Sequence, residues 1–261
     1  MVKPPFIGRE AELAALLDAS HQAAARHGTM VLVEGGPGLG KSTLVEHFRT
    51  RLRDSSRTRP VTSAVGYCYE GGTDSAFYPW IEALSQLAVQ GPERHVGKLT
   101  LDLIREVGPD LLRVVPVLGD AAAAGLKALS VAGDWWLAAT PKDDAILSRN
   151  IPLQFTDAVV ALAEVQGPML LVIEDAHWAD AASARLLLQL SRRLADLPLL
   201  VLVTYRREES ATSPFAAVRH ELMSSGAAAV VGLEPFTEEE ISQFVRAAYG
   251  EDLAPIGRAH V

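Results

Sequence analysis

Two kinds of hydrophobic pattern alternate along this chain. Short uninterrupted apolar runs are separated by longer stretches in which apolar residues recur every three or four positions, as Leu13, Leu16 and Leu17 do. The short runs are typical of buried strands and the longer pattern of helices, so the alternation predicts an α/β fold with a largely parallel sheet covered on both faces. The predicted strands lie at 30–33, 60–67, 169–173, 199–204 and 227–233. The predicted helices lie at 10–27, 41–53, about 77–90, 152–165, 181–195 and 214–224.

Local signals mark two helix starts in the C-terminal part of the chain. Ser213-Pro214 reads as a cap followed by proline at the first helical position. Thr237 and Glu240 form a capping box, which predicts a helix to about Tyr249. The stretch 91–150 has no clear period, and we expect helices inserted there between the second and third strands. Its expected turns are at 108–109 and 140–141.

A glycine-rich segment follows the first predicted strand. Residues 35–42 read Gly-Gly-Pro-Gly-Leu-Gly-Lys-Ser, a phosphate-loop pattern between a strand and a helix. Glycines permit positive φ and close approach of the backbone to phosphates, and the helix start adds positive charge. We expect Lys41 to reach the β- and γ-phosphates and the Ser42 hydroxyl to coordinate Mg²⁺. The alternative is an ordinary glycine-rich turn, which the strand and helix on either side disfavour. The predicted binding segment comprises Gly35, Gly36, Pro37, Gly38, Leu39, Gly40, Lys41, Ser42 and Thr43.

Polar residues follow two of the other buried strands. Glu174 and Asp175 come directly after the apolar run 169–173, at the strand end where open α/β sheets bind ligands. We expect Glu174 to hold Mg²⁺ through water, with Asp175 also near the metal and orienting or deprotonating the attacking water. Thr204 is a candidate to bond that water or a phosphate, and Arg206 to pair with the γ-phosphate. The alternative is that such strand-end residues simply face solvent.

Composition narrows the classes of function. The chain is 49% hydrophobic and 21% charged, with a net charge of −8 and a pI of about 5.4. Its densest basic run, 49–53, closes a predicted helix, so direct nucleic-acid binding by this segment is not expected. The single cysteine, Cys68, is expected in the core, excludes an internal disulfide and fits a reducing compartment. The chain shows neither a signal peptide nor a membrane-spanning run, so we expect a cytoplasmic protein with no membrane contact.

Four motifs in a fixed order resemble one known family. They are residues 6–13, 35–42, 173–180 and 204–206, and the segment 66–70 with Tyr78-Pro79 is similar to the same module. The chain resembles the STAND branch of the AAA+ regulatory ATPases over about residues 5–250. The similarity is greatest to the ATPase module of large ATP-binding LuxR-type transcription regulators and of related multidomain cyclases and kinases.

The resemblance implies more than the loop alone. It implies ATP with Mg²⁺ as the ligand, and it places Ile7, Gly8 and Arg9 along the adenine. It implies a three-layer P-loop domain over 1–235, whose parallel sheet has five strands, and an incomplete helical lid over 236–261. In the family, the His177-Trp178 pair belongs to a structural and signalling hallmark. We expect no chemical role for the pair and interpret it as a packed aromatic ring beside a satisfied histidine, that is, one whose ring nitrogens are hydrogen-bonded.

Two departures from the family pattern affect the expected function. The acidic pair is Glu-Asp where AAA+ machines carry Asp-Glu, which places the longer acid at the metal position and puts fast turnover in doubt. The sequence ends about one helix into the lid, so we expect a truncated product, a fragment or half of a split system. We therefore expect a slowly hydrolysing ATP/ADP switch that works with protein partners or separate effector domains, with a nucleotide-dependent oligomer left open. The alternatives are a scaffold that binds nucleotide without hydrolysis and an initiator-type ATPase acting on nucleic acid.

Overall fold

The computed structural model describes residues 6–55, 61–71, 76–89, 111, 151–210 and 212–249. The expected insertion at 91–150 lies outside the described residues, apart from Leu111, which is buried in the core. The strands are β1 (Thr29–Gly35), β2 (Thr62–Tyr67), β3 (Met169–Glu174), β4 (Leu199–Tyr205) and β5 (Ala229–Leu233). The helices are α1 (Glu10–Ala24), α2 (Lys41–Ser55), α3 (Tyr78–Val89), α4 (Ile151–Gln166), α5 (Ala181–Ser191), α6 (Arg207–Ser210), α7 (Phe215–Ser224) and α8 (Glu238–Tyr249).

The five described strands form one parallel sheet in the order β2-β3-β4-β1-β5. This confirms the predicted α/β fold with a central parallel sheet. Strands β3 and β4 are buried along their whole length, as their continuous apolar runs predict. Because β1 lies between β4 and β5, the segment that follows β1 leaves the sheet beside the end of β4.

Alternate residues of the central strands point into two separate cores. Leu32, Leu171 and Val203 belong to the larger core, which also contains residues of α3, α4, α5 and α7. Val33, Leu170 and Leu202 belong to the second core, which α1 and α2 cover. This two-residue alternation is the reason that helices are needed on both faces, and it produces three layers.

Helix α3 covers the free edge of β2 through side-chain hydrogen bonds. The Gln86 amide accepts from Val65 N (2.9 Å) and donates to Val65 O (2.7 Å), as a neighbouring strand would. Glu82 Oε2 accepts from Tyr67 N at 2.9 Å. A Cβ at Gly66 would lie 1.9 Å from the Pro79 carbonyl oxygen, so only glycine lets the helix come this close.

Element boundaries differ from the predictions by a few residues. Strand β1 is longer than predicted, α1 ends at Ala24 rather than 27, and α5 ends at Ser191 rather than 195. Helix α7 begins at Phe215, with Pro214 in the capping position that we had assigned to Ser213. The capping box of α8 is confirmed, since Thr237 N donates to Glu240 Oε2 (2.7 Å) and Glu240 N donates to Thr237 Oγ1 (3.2 Å). None of the described helices combines the length and the hydrophobicity needed to cross a membrane.

Candidate nucleotide-binding site

The glycine-rich loop joins the end of β1 to the start of α2. Gly38 and Gly40 have φ of 75° and 87°, a region in which other residues are strained. The Gly40 carbonyl accepts the bond from Leu44 N at 2.9 Å and so begins the helix. The first N–H groups of α2, at Lys41, Ser42 and Thr43, therefore have no acceptor within the helix. Such N–H groups, backed by the helix dipole, fit an anion such as phosphate.

Lys41 is held over this loop. Its Nζ donates to the carbonyl oxygens of Gly35 and Gly36, each at 2.9 Å, and the residue is 7% exposed. Burial lowers the pKa of the ammonium, and the nearby charge of Asp175 counteracts part of that effect. The lysine thus lies where its charge faces the groups that would bind in the loop.

Glu174 meets the first turn of α2. Its Oε2 accepts from Ser42 Oγ at 3.1 Å and from Thr204 Oγ1 at 2.6 Å, and the residue is 3% exposed. Burial raises the pKa of this carboxyl, and the two hydroxyl donors offset part of the increase. A hydroxyl and a buried carboxylate beside a phosphate cradle fit Mg²⁺, which takes few protein oxygens and completes its shell with water and phosphate. Across the described ranges, no three His, Cys, Asp or Glu side chains group as a metal cage.

Asp175 follows Glu174 in a backbone conformation that is uncommon for a residue with a side chain. Its φ and ψ are 55° and 43°, and a short 3₁₀ helix (Ala176–Trp178) starts directly after it. Its side chain is 29% exposed, and its backbone N–H donates to Thr204 Oγ1 at 2.9 Å. Positive φ in a non-glycine residue is concentrated at functional sites, where the surrounding structure holds it. The turn separates the two acids, so that Glu174 is buried and Asp175 reaches the surface of the site.

Thr204 is predicted to bond the attacking water or a phosphate, and the structure shows its contacts with the two acids. It is fully buried, and its hydroxyl donates to Glu174 and accepts from Asp175 N. Thr204 thus fixes the two acids relative to each other, and its contact with water or phosphate stays a prediction.

A cavity of about 270 Å³ adjoins the loop. The predicted adenine segment contributes Ile7 and Arg9, whereas a Cβ at Gly8 would lie 2.8 Å from Glu240 Oε1 and 3.3 Å from the Phe236 ring. Three phenylalanines, from the N-terminal arm and from residues 236–249, also line the cavity, and none of them is among the predicted site residues. The lining residues are Phe6, Ile7, Arg9, Gly38, Leu39, Gly40, Thr43, Phe236 and Phe244. Two of these come from 236–249, a segment for which the only signals in the sequence are the capping box and the apolar face of the helix that follows it.

Arg9 joins the N-terminal arm to the segment that precedes α8. It donates to the Glu234 carbonyl, bonds to Glu12 at 3.1 Å and lies 4.6 Å from the centre of the Phe236 ring. Contacts between the N-terminal arm and the segment before α8 therefore hold this side of the cavity.

The AAA ATPase domain model matches residues 5–203. The chain belongs to this family. This match covers the loop, the acidic pair and most of β4, so the AAA ATPase domain contains all but the last of the motifs described above.

Comparisons with other proteins agree on the fold of this AAA ATPase domain. An uncharacterized protein of Rhizobium meliloti (strain 1021) is 28% identical over 205 residues, which are 77% of this chain and 18% of that protein. The Aeropyrum pernix ORC2 protein, solved in ADPNP–ADP complexes, superposes with a TM-score of 0.51 at 12% identity, covering 94% of this chain and 52% of its own. The ORC1 protein of the same organism, solved with DNA, gives 0.50 at 13%, covering 94% and 50%. The chain thus spans at most about half the length of these three relatives.

Beside the loop, the AAA ATPase domain has a second buried acid that the motifs did not reveal. Glu34, the residue before Gly35, is 8% exposed and accepts from the Tyr205 hydroxyl and from Arg207. Burial acts to raise the pKa of this carboxyl, but the two donors prevail and lower it below its ordinary value. The only sequence signal was an acid that ends an apolar strand. Arg207, whose side chain is 69% exposed, forms this ion pair.

The other arginine after β4 is bound to an acid of its own segment. Arg206 NH1 bonds to Glu209 Oε1 at 2.7 Å, and its guanidinium lies 5.1 Å from the centre of the Trp178 ring. His177 is completely buried, with Nε2 3.1 Å from Glu209 Oε2, yet neither ring nitrogen makes a hydrogen bond of good geometry to any described residue. The expectation of a satisfied histidine is therefore wrong. Cys68 is buried, as expected, and burial raises the pKa of its thiol.

Proposed function

We propose that this AAA ATPase domain binds Mg-ATP and hydrolyses it slowly, as the nucleotide-dependent switch of a larger signalling or transcription-regulator protein. The observation that carries the proposal is the contact of Ser42 Oγ with Glu174 Oε2 (3.1 Å) at the N-terminus of the helix that follows the glycine loop. This contact supports the assignment of Ser42 and Glu174 as a metal-holding pair beside the phosphate cradle. When bound there, Mg²⁺ would neutralise charge on the phosphates.

The side chains of the site support a division of roles. The loop amides and Lys41 bind phosphate oxygens, and Ser42 with Glu174 holds the metal. Asp175 is the more exposed acid and orients the attacking water, accepting its proton as the water oxygen bonds to the γ-phosphorus and the bond to the leaving oxygen breaks. The aromatic cavity receives the base, as the contribution of Ile7 and Arg9 to its lining suggests.

Nucleotide binding is tested by thermal unfolding. Mg-ATP at 100 times its Kd is expected to stabilise the protein by about 2.7 kcal/mol, because it binds only the folded state. Lys41→Ala should abolish the shift while the protein without nucleotide still unfolds cooperatively. An unchanged melting curve for wild type in Mg-ATP refutes the proposal, and an equal shift with GTP refutes its ATP preference.

Hydrolysis is tested separately through Asp175. Asp175→Asn should retain ATP affinity and lose most of the steady-state phosphate release, because the amide does not accept the proton of the water. Equal release by both proteins would remove the catalytic role from Asp175.

A scaffold that binds nucleotide without hydrolysis is the second candidate. It is favoured by the hydroxyl of Thr204, whose only proton is donated to Glu174, and by Arg206, which is paired with Glu209. The scaffold predicts background phosphate release from wild type despite measurable affinity for ATP.

The proposed class of the larger protein rests on similarity alone. The motif order suggests a STAND-type module of the LuxR regulator class, acting through protein partners or effector domains in the cytoplasm. The two Aeropyrum pernix ORC proteins share the fold, and ORC1 was solved with DNA, but the net charge of −8 disfavours direct DNA binding by this segment. A specific gel shift at low salt would reverse that assignment.

A further inference from the structure

The two carboxylate oxygens of Glu209 contact two different residues of the site. Its Oε1 accepts from Arg206 at 2.7 Å, and its Oε2 lies 3.1 Å from His177 Nε2. It belongs to the one-turn helix α6, directly after β4. Glu209 therefore connects Arg206, which follows β4, with His177, which lies two positions after Asp175.

The connection lies next to the phosphate loop. Strands β1 and β4 are parallel neighbours with Glu34 opposite Tyr205, so Arg206 leaves the sheet at the level where β1 enters the loop. The charges of Arg206 and Glu209 both act on the pKa of Lys41, as do those of Asp175 and Glu174. Arg206 thus lies near the loop that would hold the phosphates, while its NH1 donates to Glu209.

ATP and ADP differ at this point by one strongly charged group. The γ-phosphate supplies acceptor oxygens that bind a guanidinium at least as well as a carboxylate does, and ADP lacks them. A nucleotide that binds two states with equal affinity shifts nothing, so a switch needs a contact that only one nucleotide makes. An arginine with two competing acceptors, one fixed and one supplied by ATP, meets that requirement.

We propose that Glu209 is a positioning residue that holds Arg206 against Trp178 and competes with the γ-phosphate of ATP for it. ATP withdraws the guanidinium from Glu209, and the carboxylate stays beside His177. After hydrolysis and loss of the γ-phosphate, Arg206 returns to Glu209. The inference rests on the proposed function, because it requires nucleotide at the loop.

The competition is tested by the ratio of the dissociation constant for ADP to the dissociation constant for Mg-ATP. Glu209→Gln removes the charge of the fixed competitor, so the ratio should rise about fivefold, the upper range for a partly exposed ion pair. Glu208→Gln is the matched control, because Glu208 lies in the same turn, is exposed and is the acid next to Glu209. It should leave the ratio unchanged.

A double-variant cycle separates competition from a general structural effect. Arg206→Ala should lower the preference for ATP, and adding Glu209→Gln in that background should have no further effect on the ratio. If Glu209→Gln raises the ratio equally with and without Arg206, or changes ATP and ADP affinity alike, the proposal is wrong.

Trp178 fluorescence gives a readout of the movement itself. Its ring contacts Arg206 and lies 4.5 Å from the His177 ring centre, so withdrawal of the guanidinium should change its emission with Mg-ATP and not with ADP. The change should disappear in Trp178→Phe and in Arg206→Ala. A wild type that binds neither nucleotide refutes the proposed function and this inference together. A wild type that binds both, with the same emission in each, refutes only this inference.

Discussion

Thr204 organises the site although it is inaccessible to a ligand. Its hydroxyl donates to the buried Glu174 carboxylate and accepts from the backbone N–H of Asp175, so one atom fixes both acids. These two hydrogen bonds of Thr204 also explain how Asp175 is held at positive φ. The acid arrangement therefore depends on β4 as well as on the strand that carries it.

Thr204→Val is expected to destabilise the protein by about 1–3 kcal/mol, because the isosteric side chain leaves the buried Asp175 N–H without a partner. Thr204→Ser restores the hydroxyl and should recover most of that loss. Urea denaturation of the three proteins measures the difference. Equal midpoints for wild type and Thr204→Val would show that the bond pair contributes nothing to stability.

Glu34 gives the protein a defined response to acid. Its folded pKa lies below the ordinary value of 4.5, because Arg207 and Tyr205 donate to the carboxylate and outweigh its burial. The unfolded chain then binds the proton more readily, so the stabilisation is complete above about pH 4.5 and is lost as the pH falls through the folded pKa. Unfolding free energies of wild type and Glu34→Gln should differ most above that value and converge below it. A pH-independent gap would contradict the assignment.

Only some of these residue positions and contacts could be predicted from the sequence. The positions of Lys41, Ser42 and Glu174 were predictable, because each follows from a local motif or from a strand end. Glu34 lies in β1 and Thr204 in β4, and their contacts with Tyr205 and Glu174 depend on the pairing of neighbouring strands. Glu209 was not predictable, since nothing in the sequence indicates which acid of α6 faces Arg206.

At the scale of elements, the edge of β2 depends on one helix. Gln86 pairs with both backbone groups of Val65, and Glu82 accepts from Tyr67 N, so α3 replaces a sixth strand along this edge. The period of the sequence predicted α3 and β2 as elements. Their contact could not be predicted, because a glutamine on a helix is more often exposed.

Gln86→Leu is expected to destabilise the protein by about 1–3 kcal/mol, since it leaves the Val65 N–H and C=O without their partners under the helix. Ser85→Ala is the control on the same helix, because the Ser85 hydroxyl bonds only within the helix, to Ile81 O. Chemical denaturation and light scattering should report lower stability and more association through the freed edge for Gln86→Leu alone. Equal behaviour of the two variants would reject the role of Gln86 as an edge cap.

At the scale of the whole molecule, the cavity is shared by three distant parts of the chain. Phe6 comes from the arm, Gly38 and Thr43 from the phosphate-loop region, and Phe236 and Phe244 from the segment 236–249. The hydrophobic pattern predicted each part separately, and the family resemblance assigned the arm to adenine. The aromatic contribution of 236–249 followed from neither, because it depends on how this segment packs against Gly8 and Arg9.

Because α8 contributes Phe244 to the cavity, this helix is expected to contribute to the affinity for nucleotide. Stacking of a base on an aromatic side chain is worth about 1–3 kcal/mol by alanine substitution. Phe244→Ala should therefore weaken the binding of ATP, ADP and adenosine by similar factors, about 5- to 150-fold, and should leave the binding of inorganic triphosphate unchanged.

Ile241→Ala is the matched control, since Ile241 is 49% exposed on the same helix and does not line the cavity. Calorimetric titration of the four ligands measures this, and an equal loss for triphosphate would mean that Phe244 supports the loop rather than the base. Because Arg206 changes are expected to affect ATP alone, the two variants together separate recognition of the base from recognition of the γ-phosphate.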